Sequence, residues 1–270
     1  MNNSLLSSQA GAVSAALILL SLAAGLYGCW VLPADQQIAV HFDLAGQPNG
    51  WMPLIEAMLF GPAIGALIWF LCLVRPVPPV AALATSVAIA GGQLLIVGKA
   101  LGQSWDVPRY TTLLLGLTWI LVGNSLGKLP RNRWAGIRTP WAMADEEVWA
   151  RTQRFGGWAF ILAGFATLAM MAVPLKEGRL ALLMAPMAAA GGLSVLRSWQ
   201  IWRELHPGAA PSRRIGRATL ALLVLALLPL LAVAANRLGF LGQAWMVRLV
   251  LAAVVAIVAA AAIRKADGTD

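Results

Sequence analysis

The sequence predicts an all-α protein that crosses a membrane about eight times. It also predicts a small cap between the first two spans and an amphipathic segment between the fourth and fifth. Of the 270 residues, 60% are hydrophobic and only 11% are charged. A soluble domain has roughly a quarter of its residues charged, so this chain cannot cover its surface for water. Its hydrophobic residues fall in runs of about 20, the length that a helix needs to cross a hydrocarbon core of ~30 Å.

The predicted spans follow one another with mostly short connections. They cover residues 11–32, 54–74, 79–101, 111–127, 157–175, 180–202, 216–236 and 243–263. The first has no Lys or Arg before it and is too long for the core of a signal peptide, so we expect it to remain as a transmembrane helix. We divide the chain into a two-helix unit (1–75), a central region (76–205) and a C-terminal helix pair (206–270).

The net charge of +9 is spread between the apolar runs. It does not form one basic face with interleaved aromatic residues, which argues against direct binding of nucleic acid. If the N-terminus is cytoplasmic, most Lys and Arg residues fall on the cytoplasmic side, as the positive-inside rule requires. We therefore expect both termini to be cytoplasmic.

The predicted outer connection, residues 33–53, is longer than a simple joint needs. Hydrophobic and other residues alternate over 38–43, which predicts a short strand, and Pro48-Asn49-Gly50 is typical of a tight turn. His41 and Asp43 would share one side of such a strand, close to Glu56. These three residues are candidates for binding a cation or moving a proton, or for hydrogen bonds that stabilise the loop. We predict no resident metal, because such a set is thin for a metal site.

The predicted inner connection, residues 128–156, has a more detailed order. Thr139 before Pro140 is typical of a helix start. The acidic residues 145–147 and later cations suit the dipole of a short helix. We expect an amphipathic helix at the inner membrane interface, with Trp141 and Trp149 as anchors.

The candidate ligand- or partner-binding residues all belong to this connection or to the end of the span before it. They are Asn124, Lys128, Arg131, Asn132, Arg138, Thr139, Trp141, Trp149 and Arg154. Two interpretations remain open, namely contact with anionic lipid and a specific recognition or structural role.

Polar and small residues within the spans indicate how the helices pack. Gln93, Asn124 and Ser125 lie at membrane depth, where unsatisfied polar groups are costly. Glycines such as Gly61 and Gly65 allow close helix packing and leave a homo-oligomer open. No Asp or Glu lies centrally in a predicted span, which weakens the case for an ion-coupled pump.

Two segments have a characteristic order of residues. The inner motif consists of Gly123-Asn124, Gly127-Lys128, Arg131-Asn132, Gly136-Ile137-Arg138-Thr139-Pro140-Trp141, Trp149 and residues 152–157; the outer one includes Leu32-Pro33, Ile38, His41-Phe42, Gly46, Pro48 and Gly50-Trp51. With these motifs, the inner segment resembles the SdpI family of bacterial membrane proteins, and the outer segment resembles a short domain of unknown function that often precedes it. The central region 76–205 is thus interpreted as SdpI-like. Gln153 stands where many relatives have His, and Asn49 where many have Asp.

The resemblance implies a protein of the bacterial inner membrane that gives immunity to a membrane-active peptide toxin or to envelope stress. It also implies signalling through capture of a cytoplasmic repressor. The expected partners are therefore membrane lipids, a secreted peptide toxin and a cytoplasmic repressor.

Two other functions remain open. One is a membrane enzyme or transporter acting on a lipid or small anionic solute, since arginine binds phosphate well. An enzyme is less favoured, because no nucleophile–base pair is recognisable, and we predict no catalytic residue and no cofactor. The other is a scaffold whose soluble partner docks on the inner connection.

Overall fold

The computed structural model describes residues 8–43, 45–74, 79–132, 135–172 and 179–208. The chain divides into two units after His206, and the architecture below is that of the first unit. The predicted spans 216–236 and 243–263 lie outside the described residues.

Helices make up most of the described chain. Helix α1 is followed by a β-hairpin, three further long helices, a short helix α5, and two final long helices. The bounds are α1 Gln9–Val31, β1 Gln37–Phe42, β2 Pro48–Pro53, α2 Leu54–Val74, α3 Pro79–Ala100, α4 Val107–Leu126, α5 Pro140–Ala144, α6 Glu146–Ala169 with a 3₁₀ turn Met170–Ala172, and α7 Arg179–Leu205. This agrees with the predicted mostly helical fold.

The long helices pack in two groups. Helices α1, α2 and α3 contact one another, α6 lies between α4 and α7, and contacts between α3 and α4 join the two groups. Consecutive helices that are joined by short connections and pack together run in opposite directions. The hairpin and the α4–α6 connection therefore lie at opposite ends of the bundle.

Four segments in the described part of the chain are long and apolar enough to cross a membrane. They are Gln9–Val31, Leu54–Val74, Ala81–Ala100 and Glu146–Ala172. Helices α4 and α7 coincide with the predicted spans 111–127 and 180–202 but are not among these four segments.

The distribution of side chains is the reverse of that in a soluble protein. Large apolar residues point outward, such as Leu19 at 64% and Trp30 at 81% exposure, whereas Ser14 and Ser21 are fully buried. Each of these serines hydrogen-bonds a carbonyl of its own helix. Apolar side chains outside and small residues between helices are typical of helices that pack in lipid.

Glycine brings α4 and α6 close together. A Cβ added at Gly123 would lie 2.6 Å from the carbonyl oxygen of Gly157, and one added at Gly164 would lie 2.7 Å from that of Gly116. No real side chain tolerates these distances, so both pairs need glycine. The predicted role of glycine in close packing is fulfilled by Gly123, among others.

Gln93 has a structural partner at membrane depth. Pro62 inside α2 has no backbone N–H, so the carbonyl of Met58, one turn earlier, lacks its helical donor. The Nε2 of Gln93 on α3 donates to this carbonyl at 3.0 Å and to that of Ala57 at 3.3 Å. A polar residue that the sequence marks as costly thus satisfies a backbone group that proline leaves unpaired.

The predicted interfacial helix between the fourth and fifth spans is wrong in two respects. The expected fifth span, 157–175, starts much earlier, because α6 begins at Glu146 and continues without a break to Ala169. Trp141 and Trp149 are 3% and 1% exposed, so they are buried packing residues and not interfacial anchors. The connection folds back on α6 and covers them.

The predicted cap between the first two spans is an antiparallel hairpin. Ala39 pairs with Trp51, and a bulge follows Ala39 on β1. The turn, however, lies earlier than expected. Residues 48–50 belong to β2, and the chain reverses after Asp43, with Gly46 in the left-handed region at φ 82°.

Candidate functional site

The connection between α4 and α6, together with the first turns of α6, forms an ordered structure that we call the clasp, residues 127–154, of which 133 and 134 lie outside the described residues. Gln153 on α6 holds its middle. The side-chain Oε1 of Gln153 accepts from the backbone N–H of Ile137 at 3.0 Å, and its Nε2 donates to the carbonyl of Ile137 at 2.9 Å. Gly136, at φ 110°, makes the bend that allows this pairing. The amide thus pairs with the backbone as a neighbouring strand would.

Trp149 fixes the beginning of the clasp. Its indole Nε1 donates to the carbonyl of Leu129 at 2.8 Å, and both side chains are buried. The ring also leaves little space for a side chain at position 136, because a Cβ added at Gly136 would lie 3.1 Å from the Trp149 ring. Trp149 and Gln153, one turn apart on α6, therefore bind two separate points of the same connection.

The first part of the clasp makes a polar turn. The Oδ1 of Asn132 accepts from the N–H of Ala135 at 2.8 Å, and its Nδ2 donates to the carbonyl of Pro130 at 2.8 Å. Arg131 reaches across to the start of α6, where its guanidinium lies 3.1 Å from a carboxylate oxygen of Glu146 and donates to the carbonyl of Met143 at 3.3 Å. Asn132 therefore shapes the turn, and Arg131 joins it to α5 and α6.

Thr139 connects the clasp to α7. Its hydroxyl caps α5 by accepting from the N–H of Ala142 at 3.2 Å, as the Thr-Pro sequence predicts. The same hydroxyl forms a short hydrogen bond with the hydroxyl of Ser198, and both residues are buried. Helix α5 packs against both α6 and α7.

Asp145 is a second cap, which the sequence analysis did not single out. Its Oδ1 accepts from the N–H groups of Glu147 and Val148 at 2.8 and 2.9 Å. Its Oδ2 lies 3.4 Å from Nε2 of His206, just beyond the end of α7. His206 in turn stacks on Trp202 with ring centroids 4.0 Å apart. One carboxylate thus starts α6 and holds the end of α7 beside it.

The solvent-exposed surface of the clasp, which we call its rim, is cationic. Lys128 donates to Asn124 at 3.3 Å, and Arg151 pairs with Glu147 at 2.6 Å. Exposed pairs of this kind contribute little to stability, so these side chains remain available to an anionic surface. In the described part of the clasp, the exposed basic residues of the rim are Lys128, Arg131, Arg138, Arg151 and Arg154.

All nine residues proposed for the inner site lie in or beside the clasp, but in two different settings. Asn132, Thr139, Trp141 and Trp149 are half-buried or buried and build the structure, whereas the others are exposed. Gln153, Leu129, Asp145 and Ser198 were not among the candidates. A polar residue within a helical segment is typical of an exposed face. The local sequence therefore does not indicate that the side chain of Gln153 binds the backbone of the clasp.

The three outer candidates are not one cluster of ligands. The Nδ1 of His41 lies 2.5 Å from Oδ1 of Asn49 across the hairpin. Asp43 caps the turn by accepting from the N–H groups of Ala45 and Gln47. Glu56 is exposed in the first turn of α2. Among the described residues, no group of three His, Cys, Asp or Glu side chains is arranged to hold a metal ion.

Comparison with known proteins gives two family matches. Residues 128–198 match the SdpI/YfhL protein family, and residues 16–66 match a domain of unknown function, DUF1648. The first match thus concerns one region of the chain, which is similar to that family. This region begins within the clasp and ends at Ser198, the partner of Thr139 on α7. The DUF1648 match covers most of α1, the hairpin and the first half of α2, and both matches confirm the resemblance inferred from the sequence.

One curated relative is the immunity protein SdpI of Bacillus subtilis (strain 168). It is 27% identical to this chain over 114 residues, which are 42% of this chain and 55% of the relative. The chain thus spans little more than half the length of that relative. No solved structure gives a significant match.

Proposed function

We propose that this protein is a non-enzymatic, SdpI-like immunity protein of the bacterial inner membrane, which protects the membrane from a peptide toxin or from envelope stress. The observation that carries the proposal is that the SdpI-family region coincides with one folded object. This object comprises the clasp, α6 and α7, tied together by Trp149, Gln153, Thr139 and Asp145. The name of the relative supplies the immunity role.

In this proposal the hairpin lies outside the cell and the clasp lies in the cytoplasm. The cationic rim of the clasp fits the positive-inside rule and the anionic inner leaflet. If α4, α7 and the spans predicted from the sequence over 216–236 and 243–263 are counted with the four apolar segments, the chain crosses the membrane eight times and both termini are cytoplasmic. The hairpin meets the toxin, and the clasp relays its presence to a cytoplasmic repressor.

A deletion strain of the natural host tests the proposal. The gene is removed and returned as wild type or as Trp149→Ala, and growth and membrane potential are followed while secreted antimicrobial peptides or envelope stress are applied. We expect the deletion to raise sensitivity, the wild type to restore resistance, and Trp149→Ala to restore it only in part. Unchanged sensitivity of the deletion strain to every treatment would contradict the immunity role.

The signalling step needs its own test. The purified protein is passed over cytoplasmic extract, and bound proteins are compared between wild type and Arg138→Ala, with Arg109→Ala at the other end of the bundle as the control. A soluble protein retained by wild type and by the control, but not by Arg138→Ala, supports the relay. A phospholipid held tightly, with no soluble partner, would instead favour the enzyme or transporter interpretation.

A further inference from the structure

A groove of about 380 Å³ lies at the hairpin end, between β1 and the last turn of α3. Its volume falls within the range of ordinary ligand pockets. Phe42 and Trp51 give it aromatic walls, and Gln36, Gln37 and Gln47 give it amide groups. Neither the sequence analysis nor the family matches single out this groove as a site.

In the part of the chain that the structure describes, Lys99 is the one charged residue that lines the groove. It lies in the last turn of α3 and is half-buried. Among the described residues it forms no hydrogen bond or ion pair. Asp106, a carboxylate on the next turn, is instead paired with Arg109 at 3.4 Å. The ammonium group therefore gives the groove a positive charge that no carboxylate of the described chain neutralises.

The groove suits an extended peptide better than a lipid headgroup. A phosphate group only accepts hydrogen bonds, whereas glutamine amides both donate and accept, as peptide groups do. In the described chain, β1 has β2 as its single strand neighbour. Its second edge can thus pair with an added strand, a common mode of peptide binding. Trp51, at 54% exposure, adds an aromatic surface for an apolar side chain.

We propose that this groove binds an extended peptide segment bearing a carboxylate, with the carboxylate paired to Lys99 and the segment lying along β1. The inference rests on the proposed immunity function, since it names the chemistry of the partner that the hairpin meets. It assigns the recognition of charge to Lys99 and not to His41, Asp43 or Glu56.

The test uses the full chain in nanodiscs of phosphatidylcholine and two forms of one probe. The probe is a fluorescein-labelled hexapeptide of alternating threonine and valine, with either a free carboxylate or an amide at its C-terminus. Fluorescence anisotropy gives the dissociation constant of each form. We expect the carboxylate form to bind wild type about tenfold more tightly, since a charge-assisted hydrogen bond is stronger than a neutral one.

Substitutions test whether Lys99 causes the preference for the carboxylate form. Lys99→Gln should bind both forms equally and as weakly as wild type binds the amide, while Lys99→Arg should keep most of the preference. Arg203→Gln, which removes an exposed cation in the last turn of α7 that does not line the groove, should leave the preference unchanged. The acid–amide comparison on wild type needs no variant, so the proposal stays testable even if Lys99→Gln misfolds.

Three results would overturn the inference. They are equal affinity of wild type for both forms, an unchanged preference in Lys99→Gln, and, in nanodiscs to which phosphatidylglycerol is added, retention of this lipid through Lys99 with no peptide bound. If these results appear while the deletion strain is still sensitised, the groove assignment fails and the immunity role stands. If carboxylate-dependent binding is found but the gene gives the host no protection, the groove assignment stands and the immunity role fails.

Discussion

Gln153 commits both of its amide groups to the backbone of Ile137, although it is a side chain on a helix and 1% exposed. A buried amide is favourable only when its hydrogen bonds are made, because leaving either group unpaired costs about 1–3 kcal/mol. The structure gives the position a concrete role, which is to hold the Gly-Ile-Arg segment of the clasp against α6.

Replacing Gln153 should therefore loosen the clasp. We expect Gln153→Leu to lower the free energy of unfolding by about 1–3 kcal/mol, because the N–H and carbonyl of Ile137 lose their partners. Gln103→Leu, at an exposed position on the α3–α4 turn, is the control and should change little. Thermal unfolding in detergent measures both, and equal stability of the two variants would contradict the clamp.

Trp149 offers a second test of how the clasp is held. Trp149→Phe keeps an aromatic ring but removes the Nε1 donor to the carbonyl of Leu129, which is buried. We expect a loss of about 1–2 kcal/mol and faster proteolysis within the clasp. The substitution Trp158→Phe, at a ring that is 69% exposed, is the matched control. Equal proteolysis of the two variants would argue that the indole hydrogen bond is unimportant.

Among the elements, α6 differs most from what the sequence predicts. A charged segment followed by an apolar one predicts two separate elements, an interfacial helix and a transmembrane helix. The structure joins them because Asp145 caps a helix that then continues through Gly156 and Gly157, two glycines packed against Ile137 and Gly123. The predicted helix start at Thr139 is confirmed, but it opens only the short α5. Local capping signals cannot tell which of two neighbouring starts leads into the long helix.

In the hairpin, too, local sequence signals predict only part of the structure. Alternating residues correctly predict β1, but Pro48-Asn49-Gly50, a strong local turn sequence, lies in β2. Asp43 and Gly46 form the turn instead, since the carboxylate of Asp43 satisfies two backbone N–H groups there. Pairing with β1 and packing of Ile38 onto α2 and α3 determine the register, and neither contact is visible in a short window of sequence.

The hydrogen bonds that link α2 and α3 can be tested by changing Gln93 and Pro62 together. We expect Gln93→Leu to destabilise the protein by about 1–2 kcal/mol, as a hydrogen bond between membrane helices does in favourable cases. In a Pro62→Ala background, residue 62 regains its N–H and can donate to the carbonyl of Met58, so Gln93→Leu should then cost less. A double-mutant cycle of unfolding free energies measures the difference. Additive effects would contradict the account.

At the scale of the whole molecule, composition predicts the class and hydrophobic runs predict six helices of the described chain. The clasp could not be predicted as a folded object, because it depends on contacts between residues far apart in sequence, such as Thr139 with Ser198 and Trp149 with Leu129. The groove beside Lys99 likewise arises only when the hairpin folds onto the end of α3. In both cases the polar residues are visible in the sequence, but their partners are not.

The two ends of the bundle provide the last prediction, which concerns orientation. Starting from Cys29→Ala/Cys72→Ala, single cysteines are introduced as Gln47→Cys in the hairpin or Arg151→Cys in the clasp, both at exposed positions. Because the positive-inside rule places the cationic clasp in the cytoplasm, a membrane-impermeant maleimide should label the hairpin cysteine in intact cells. It should label the clasp cysteine only after permeabilisation.

A fusion of green fluorescent protein after Asp270 completes this test, since the fusion fluoresces only when it folds in the cytoplasm. An even number of spans requires fluorescence, given a cytoplasmic N-terminus. Labelling of the clasp from outside would reverse the orientation and remove the basis for a cytoplasmic relay. Labelling as expected but without fluorescence would keep the positions of hairpin and clasp and contradict eight spans, because an odd number of crossings would then separate the clasp from the C-terminus.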